Sequence, residues 1–169
     1  MSGITTPIVI GSDHAAYDLK EKIKVFLIER SIDVEDVGCF SENSVDYPDY
    51  GIKVASMVSS GKFSHGILLC GTGIGMSMVA NKFSRVRAAL CSDLFSAIMS
   101  RRHNDSNILV LGGRVIGDML ALEIVKAWLE TPFDGGRHLR RLEKFDRIDM
   151  DAEHGSIPID PLAVKPSVR

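Results

Sequence analysis

The stretch His65-Gly-Ile-Leu-Leu-Cys70-Gly-Thr-Gly-Ile-Gly75 is the strongest indication of the fold. A short apolar run ends at a cysteine, and three glycines separated by single residues follow it before a segment with helical periodicity. This order predicts a buried strand, a tight turn and a helix, the repeating unit of a parallel α/β sheet. The glycines let the backbone approach a ligand closely, and their N–H groups can converge on an anion.

The alternation of strand and helix continues on both sides of this stretch. Apolar runs predict strands over residues 7–11, 32–37, 65–70, 86–90 and 108–111. Helical spacing predicts helices over residues 17–30, 49–59, 74 to about 83, 94–102, 117–129 and 137–150. Such βα units favour a parallel sheet with helices on both faces. We expect one domain over residues 1–150 and a C-terminal tail over residues 151–169.

Composition narrows the class of protein. The chain of 169 residues is 45% hydrophobic and 25% charged, which is typical of a globular protein. A net charge of -2 offers no general attraction to nucleic acid or an anionic membrane, and no apolar run reaches the roughly 20 residues of a membrane helix. The start lacks a signal peptide, and the spacing of Cys39, Cys70 and Cys91 does not suit a metal or a disulfide framework. We therefore expect a cytoplasmic protein without nucleic-acid or membrane partners.

Polar residues follow the first and fifth predicted strands. Ligands of parallel α/β sheets bind outside the carboxyl ends of the strands. Asp13 and His14 could bind sugar hydroxyls or shuttle protons there, although a helix-capping Asp13 beside an exposed His14 explains the same residues. Arg114 directly follows the fifth strand, in a good position for an anion.

Cys70 lies where the third strand meets the glycine turn. A nearby helix start and convergent N–H groups favour a thiolate, whereas the alternative is a buried structural cysteine. Cys39 and Cys91 lack this setting. The glycine spacing differs from the dinucleotide pattern Gly-x-Gly-x-x-Gly. The lysine that follows the glycines of a P-loop is also missing from this turn. Both kinds of nucleotide site are therefore disfavoured.

Two further clusters are basic. Arg101-Arg-His-Asn-Asp105 groups cationic, imidazole and amide side chains before the fifth strand. In Gly135-Gly-Arg-His-Leu-Arg-Arg141, Arg137 and Arg141 are four residues apart and share one side of a helix. Arginine forks suit phosphate oxygens, but a solvated helix end or basic face explains these residues equally well.

Together these segments resemble ribose-5-phosphate isomerase type B and its hexose-phosphate isomerase relatives. They follow the order and spacing of the family across about residues 7–148: Gly-Ser-Asp-His at 11–14, Asp-Tyr-Pro-Asp-Tyr at 46–50, Cys-Gly-Thr-Gly-Ile-Gly at 70–75, Ala-Asn-Lys at 80–82, Arg-His-Asn-Asp at 102–105 and Gly-Gly-Arg-His at 135–138. The resemblance implies a Rossmann-like, doubly wound sheet of five parallel strands. It also implies no metal or organic cofactor, and homodimers with shared active sites that some members pair into tetramers.

The resemblance also implies catalytic roles. Cys70 matches the base that moves a proton between two carbons of the sugar, and Thr72 matches a hydroxyl that relays a proton between the substrate oxygens. Some members carry a glutamate at the position of Met76, so this chain resembles the cysteine branch. His103 matches the acid/base of ring opening, and Asp13 matches its partner for sugar hydroxyls.

Further residues match positions that bind the substrate. Backbone N–H groups that would stabilise the enediolate oxygen belong to Gly71, Gly73, Ile74 and Gly75. Tyr47 and Asn104 match contacts to the open-chain sugar. The phosphate-binding positions are matched by His14, Arg114, Arg137 and Arg141. In the family pattern, Tyr47, His103 and Asn104 serve the site of the other subunit.

The expected function is therefore the interconversion of ribose 5-phosphate and ribulose 5-phosphate through an enediolate. An isomerase of a six-carbon substrate, such as allose or galactose 6-phosphate, is an alternative that the sequence leaves open. A non-catalytic sugar-phosphate-binding protein is disfavoured because Cys70, Thr72 and His103 are all present. A nucleotide-binding module is disfavoured by the glycine spacing.

Overall fold

The sheet consists of five strands: β1 (Ile8–Ser12), β2 (Val34–Asp36), β3 (His65–Cys70), β4 (Ala88–Leu90) and β5 (Ile108–Gly112). The structure, a computed structural model, describes residues 3–153. All neighbouring strands pair in parallel, in the order β2-β1-β3-β5-β4. The predicted doubly wound sheet is confirmed. Strand order reverses between β1 and β3, and the crevice at such a reversal is the usual ligand site of these sheets.

Helices cover both faces of the sheet: α1 (Tyr17–Ile28), α2 (Tyr47–Ser59), α3 (Ile74–Ala80), α4 (Leu94–Asn104), α5 (Asp118–Glu130) and α6 (Arg137–Glu153). Along β3, Ile67 and Leu69 pack towards α1 and α5, whereas Leu68 and Cys70 pack towards α2 and α3. This alternation is the two-residue period of a strand buried on both faces. It places Cys70 on the α2–α3 face, at the carboxyl end of the central strand.

Most helices begin or end one to three residues from the predicted boundaries, and two of these differences have a clear structural cause. Helix α2 begins at Tyr47 rather than at residue 49, because Pro48 is favourable in the first turn, where a backbone N–H is not needed. Helix α3 ends at Ala80 rather than near residue 83. Its end is set by Asn81, whose side chain donates to the carbonyl of Ala88 and accepts the N–H of Ala88, both at 2.9 Å. This pairing also covers the exposed edge of β4.

The structure describes only the first three residues, 151–153, of the predicted C-terminal tail. Helix α6 continues through Glu153, three residues into the segment that we expected to be tail. Residues 154–169, the rest of that segment, lie outside the described residues. Within residues 3–153, no helix has the length and apolar character needed to cross a bilayer.

A buried lysine joins α1 to the loop after β2. The side chain of Lys20 is 0% exposed, and its Nζ contacts Asp36 Oδ2 at 2.5 Å and Glu21 Oε1 at 2.9 Å. The other carboxylate oxygen of Asp36 accepts the N–H of Gly38, whose carbonyl accepts the N–H of Ser12 at the end of β1. Lys24 Nζ also contacts Asp36 Oδ2, at 2.6 Å, so the Lys20–Asp36 ion pair is supported by a second lysine of α1. The pair therefore holds this loop against the crevice between β1 and β3.

Candidate active site

The Cys70 thiol lies at the base of the glycine turn. The residue is 5% exposed, and its Sγ accepts the backbone N–H of Gly73 at 3.1 Å. Gly73 has a φ of 78°, and a Cβ there would collide with Leu90 and the backbone of Leu111, so only glycine fits. The turn thus aims a backbone N–H donor at the sulfur.

The end of β5 supports the same turn. Gly113 N–H donates to the carbonyl of Cys70 and Arg114 N–H donates to that of Gly71, both at 2.9 Å. The Arg114 side chain lies over the turn, because a Cβ on Gly71 would be 3.6 Å from Arg114 Cδ. An exposed guanidinium therefore stands beside the glycine N–H groups, where an anion would meet both.

Asp13 and His14 lie across the crevice, at the end of β1. Asp13 is 7% exposed, and its Oδ1 accepts the N–H of Ala15 at 3.0 Å, so this carboxylate caps the short 3-10 turn His14–Ala16 that precedes α1. His14 Nδ1 accepts the N–H of Val45 at 3.2 Å. A neutral imidazole with this bond carries its proton on Nε2, which leaves that atom able to donate to a ligand.

Tyr47 and Thr72 flank the turn. A Cβ on Gly75 would lie 2.6 Å from the Tyr47 ring, so glycine is what allows this ring to pack on the turn. Tyr47, which the family pattern assigns to the other subunit, thus lies against the turn of its own chain. Thr72 is exposed, and its Oγ1 accepts the N–H of Ile74 at 3.4 Å.

The other sulfur-bearing residues lack the environment of Cys70. Burial raises the pKa of Cys91 to about 11. The Cys39 thiol donates to the carbonyl of Ser41 at 3.3 Å, so its proton is engaged. Met76, at the position of the glutamate in some relatives, is fully buried against Gly51 and has no proton to transfer. Among the three cysteines, Cys70 is the one whose sulfur accepts a backbone N–H at the carboxyl end of the central strand.

His103 and Asn104 lie at the opposite edge of the sheet. They end α4 just before β5, and the carbonyl of Asn107 accepts the N–H of Gly66 at the start of β3. Cys70 ends the same strand, four residues and about 13 Å of extended chain further on. Within one chain, the candidate base and the candidate ring-opening residue are therefore apart.

The start of α6 lies beside His103. The rings of His103 and His138 stack with centroids 4.2 Å apart, and Arg137 Nε donates to His138 Nε2 at 3.3 Å. Burial lowers the pKa of His138, and the charges of His103, Arg137 and Arg141 lower it further. His138 belongs to the quoted Gly-Gly-Arg-His motif, yet sequence reasoning did not single it out. Its place directly after Arg137 was the available signal.

An aspartate completes this cluster. The ligand atoms of His103, Asp134 and His138 lie within 4.8 Å of one another, close enough for a metal ion to be considered. However, Arg102 already contacts Asp134, with Nη2 3.1 Å from Oδ2, and Arg137 lies against His138. The two imidazoles are also nearly parallel, so their in-plane lone pairs do not converge. The surrounding guanidinium groups suit an anion better than a cation.

Comparison with known proteins identifies the family. The family model described as Ribose/Galactose Isomerase matches residues 8–145. The chain belongs to the ribose/galactose isomerase family. The predicted family resemblance and enzyme class are confirmed: the protein is a sugar-phosphate isomerase of the aldose–ketose type.

The chain matches relatives in this family over nearly the whole length of each relative. Ribose-5-phosphate isomerase B of Escherichia coli is 46% identical over 142 residues, which are 84% of this chain and 95% of the relative. The solved structure of Clostridium thermocellum ribose-5-phosphate isomerase B has a TM-score of 0.85 at 51% identity, and covers 86% of this chain and 99% of that one. A D-erythrulose-4-phosphate isomerase of Pectobacterium atrosepticum is 43% identical over 149 residues, 87% of this chain and 97% of the relative.

In this isomerase, the residues predicted from the sequence fall into two groups. The carboxyl-edge group, around the crevice, consists of Asp13, His14, Tyr47, residues 70–75 and Arg114. The amino-edge group, at the end of α4 and the start of α6, consists of His103, Asn104, Arg137 and Arg141. The fold of one chain assembles each group but does not bring the two together.

Proposed function

We propose that the enzyme interconverts ribose 5-phosphate and ribulose 5-phosphate, with Cys70 as the base. The observation that carries this proposal is the Cys70 thiol, which accepts the Gly73 N–H at the carboxyl end of the central strand. The Escherichia coli relative, named for ribose 5-phosphate, supports the choice of substrate. With its thiols reduced, the enzyme acts in the cytoplasm.

The proton transfer follows from this geometry. The Cys70 thiolate takes the proton from C2 of the open-chain aldose, and the C–H electrons form the enediolate. The same thiol returns the proton to C1, which yields the ketose. Meanwhile Thr72 relays a proton between the two oxygens. N–H groups of the turn face the developing negative charge, and one such donor can contribute about 3 kcal/mol to the transition state.

Ring opening requires a second acid/base, and His103 is suited to it. An imidazole can take the proton of the anomeric hydroxyl and supply one to the ring oxygen at neutral pH. Asp13 would hold the sugar hydroxyls during this step, and Asn104 would hold the opened chain. Since His103 and Cys70 lie at opposite edges of the sheet in one chain, a single chain cannot apply both to one sugar.

A homodimer resolves this separation. We propose that the amino-edge group of one subunit faces the carboxyl-edge group of the other, so that each site uses both chains. The phosphate is then held by His14 and Arg114 from one chain and by Arg137 and Arg141 from its partner. This distribution explains how a chain with a net charge of -2 provides a local site for a dianion.

Subunit mixing tests the two-chain site. Cys70→Ala and His103→Ala should each retain at most about 1% of the activity, and a mixed dimer of the two contains one site with both residues intact. After subunit exchange, each mixed dimer should have about half of the wild-type activity, so a sample exchanged at random from equal amounts should recover about a quarter. Native mass measurement would verify that mixed dimers, or tetramers built from them, have formed. Mixed dimers without recovered activity would show that each site is built within one chain.

A panel of substrates tests the sugar. Ribose 5-phosphate should have a higher kcat/KM than allose 6-phosphate or galactose 6-phosphate, because the Tyr47 ring packed on Gly75 closes one side of the turn. Erythrulose 4-phosphate belongs in the panel because of the Pectobacterium atrosepticum relative. A higher kcat/KM for any of these three would contradict the assignment of ribose 5-phosphate while leaving the isomerase mechanism in place.

A further inference from the structure

The end of α4, which carries His103 and Asn104, is held by two arginines that share one aspartate. Asp105 directly follows the helix, and its two carboxylate oxygens are bound separately. Oδ1 accepts from Arg101 Nη1 and Oδ2 accepts from Arg87 Nη2, both at 2.9 Å. We call Arg87, Asp105 and Arg101 the arginine clamp. None of its members belongs to the groups that the sequence predicted to touch substrate.

Arg87 binds the backbone of the segment directly. Its Nε donates to the carbonyls of Asn104, at 3.1 Å, and Asp105, at 2.9 Å. Its own N–H donates to Asn107 Oδ1 at 2.8 Å, which fixes the main chain of Arg87 as well. The last carbonyls of a helix have no partner within the helix, so these bonds replace contacts that would otherwise be left to water.

Arg101 connects the clamp to the core. It is 7% exposed, and its Nη1 also donates to the carbonyl of Ser106 at 2.5 Å. Its guanidinium lies 5.6 Å from the centre of the buried Trp128 ring, whose Nε1 donates to Ser106 Oγ at 2.8 Å. Displacing the end of α4 would therefore disturb a buried polar network, which makes this end rigid.

Asp105 also forms the bend that ends the helix. Its φ of 44° lies in the left-handed region, which aspartate and asparagine tolerate better than most residues. The bend turns the chain towards β5 and leaves His103 and Asn104 at the surface end of the helix. The charge of Asp105 and its backbone conformation can therefore be tested separately, because asparagine keeps only the second.

We propose that Arg87 and Asp105 are positioning residues that hold His103 and Asn104 for use in the partner's site. This inference rests on the proposed function, in which His103 acts across the dimer. The clamp contacts no reacting atom and acts through the placement of the helix end. A displacement of about 1 Å can cost about 100-fold in rate, so such a restraint has a measurable effect on turnover.

Kinetics of matched variants form the first test. Arg87→Gln and Asp105→Asn should lower kcat for ribose 5-phosphate about 10- to 100-fold, with a smaller change in KM. The control is Arg85→Gln, which removes the same charge two residues away, where the guanidinium contacts the carbonyl of Ser59. Arg85→Gln should keep nearly full activity. Equal losses in Arg85→Gln and Arg87→Gln, or an unchanged kcat in Arg87→Gln and Asp105→Asn, would overturn the proposal.

Subunit mixing separates positioning from general damage. Arg87→Gln mixed with Cys70→Ala should recover activity, because one hybrid site has an intact Cys70 facing a correctly held His103. Arg87→Gln mixed with His103→Ala should not recover, because neither hybrid site has both. Recovery with His103→Ala but not with Cys70→Ala would show that Arg87 supports the carboxyl-edge group of its own chain, and would overturn the proposal. Failure to recover with either variant would show general damage and overturn it equally.

A double variant distinguishes this inference from the proposed dimer. If Cys70→Ala and His103→Ala fail to complement each other, the two-chain site is wrong. The link between the arginine clamp and His103 can then be tested within one chain. Arg87→Gln added to His103→Ala should then cost less than about threefold further, because residues that act through one another are not additive. A further loss as large as that of Arg87→Gln alone would show that the clamp acts independently of His103.

Discussion

The two edges of the sheet are built by different means. At the carboxyl edge, the chemical groups are mainly backbone N–H donors of a glycine turn, supported by hydrogen bonds from the end of β5 to the carbonyls of Cys70 and Gly71. At the amino edge, they are side chains at helix ends, namely stacked imidazoles and guanidinium groups. The first edge is suited to hold a small developing charge with backbone donors, whereas the second offers cationic side chains to an anion.

Because of this difference, we expect supporting residues to matter more at the amino edge. A turn that directly follows a central strand of a packed sheet inherits its rigidity from the sheet. A helix end has unpaired carbonyls and frays unless other groups bind them. The arginine clamp supplies such groups to the end of α4, through Arg87 and Asp105. We expect substitutions at the carboxyl edge to abolish proton transfer and substitutions at the amino edge to weaken ring opening and phosphate binding.

The largest expected effect is at Cys70. Cys70→Ala and Cys70→Ser should lower kcat about 1000-fold or more, because general-base catalysis contributes about 100- to 10,000-fold and no other described group lies against the Gly73 N–H. Steady-state kinetics would measure this loss, and circular dichroism would verify the fold. Near-normal turnover by either variant would show that Cys70 is not the base and that proton transfer does not depend on this residue of the carboxyl edge.

Cys91 provides the control. Cys91→Ser should keep most of the activity, because burial raises the pKa of this thiol to about 11 and keeps it neutral at working pH. Cys39→Ser should behave in the same way, provided that the buried site accepts a hydroxyl. A loss in Cys91→Ser as large as that in Cys70→Ala would contradict the distinction between these thiols.

The next effect is at His103. His103→Ala should lose about 100-fold or more on ribose 5-phosphate, which must open its ring. The loss should be smaller on a four-carbon aldose 4-phosphate, which cannot close a furanose ring because its 4-hydroxyl carries the phosphate. The comparison of kcat/KM for the two substrates is the measurement. Equal losses on both would show that the amino edge does not act in ring opening.

A smaller effect is expected at the start of α6. Arg137→Ala should weaken binding of phosphorylated sugars about tenfold, because a hydrogen bond to a charged group typically contributes about 1.5–3 kcal/mol. Titration calorimetry with ribose 5-phosphate would measure the dissociation constant. Arg140→Ala removes a neighbouring exposed arginine from the same helix and should have little effect. Similar weakening in both variants would indicate a general effect of charge rather than a phosphate contact.

The amino edge should also determine part of the pH dependence of stability. Burial, together with the charges of Arg101 and Arg87, lowers the pKa of His65 to about 4, from 6.5 in the unfolded chain. Between these values the unfolded state binds a proton that the folded state does not. The free energy of unfolding should therefore fall as pH decreases from about 6.5 to 4, by at most about 1.4 kcal/mol per pH unit.

His65→Phe tests this assignment. The phenyl ring can keep the edge-on contact with Trp128, which has a centroid distance of 5.7 Å in the wild-type protein. Urea unfolding across this pH range should show a flatter dependence for His65→Phe than for wild type. Identical slopes in the two proteins would mean that His65 is not the group responsible.

No effect is expected from chelation. The guanidinium groups beside Asp134 and His138 disfavour a cation, so activity should survive prolonged treatment with a chelator followed by gel filtration. The control is the same protein carried through the procedure without chelator. A loss that a divalent metal restores would show that His103, Asp134 and His138 hold a metal and that the amino edge has a different role.

Much of the carboxyl edge could be predicted from local sequence. The apolar run before Cys70 and the glycines after it predict a strand and a turn, and the turn has one conformation because Gly73 has positive φ. Asp13 and His14 follow from the end of β1 in the same way. Helix boundaries were less accurate, since α3 ends where Asn81 binds Ala88. That contact joins residues seven apart and has no periodic signature.

The supporting contacts were harder to find, although they left traces. Lys20 interrupts the apolar side of α1 beside Leu19 and Ile23, and Arg87 interrupts a predicted strand between Val86 and Ala88. A charged residue inside an apolar pattern indicates a buried partner. The partners themselves, Asp36 for Lys20 and Asp105 for Arg87, are distant in sequence and could be identified only in three dimensions.

The sequence by itself determined the βα order, the strand ends and the motifs of the isomerase family, because these depend on local periodicity and on residues adjacent in the chain. Only the tertiary structure decided that Cys70 and His103 lie at opposite edges of the sheet. Residues that end a strand and residues that end the returning helix differ in height by the length of the strand, whatever their motif. The sequence motifs of the family include both Cys70 and His103, but they do not show that the fold of one chain keeps these two residues apart.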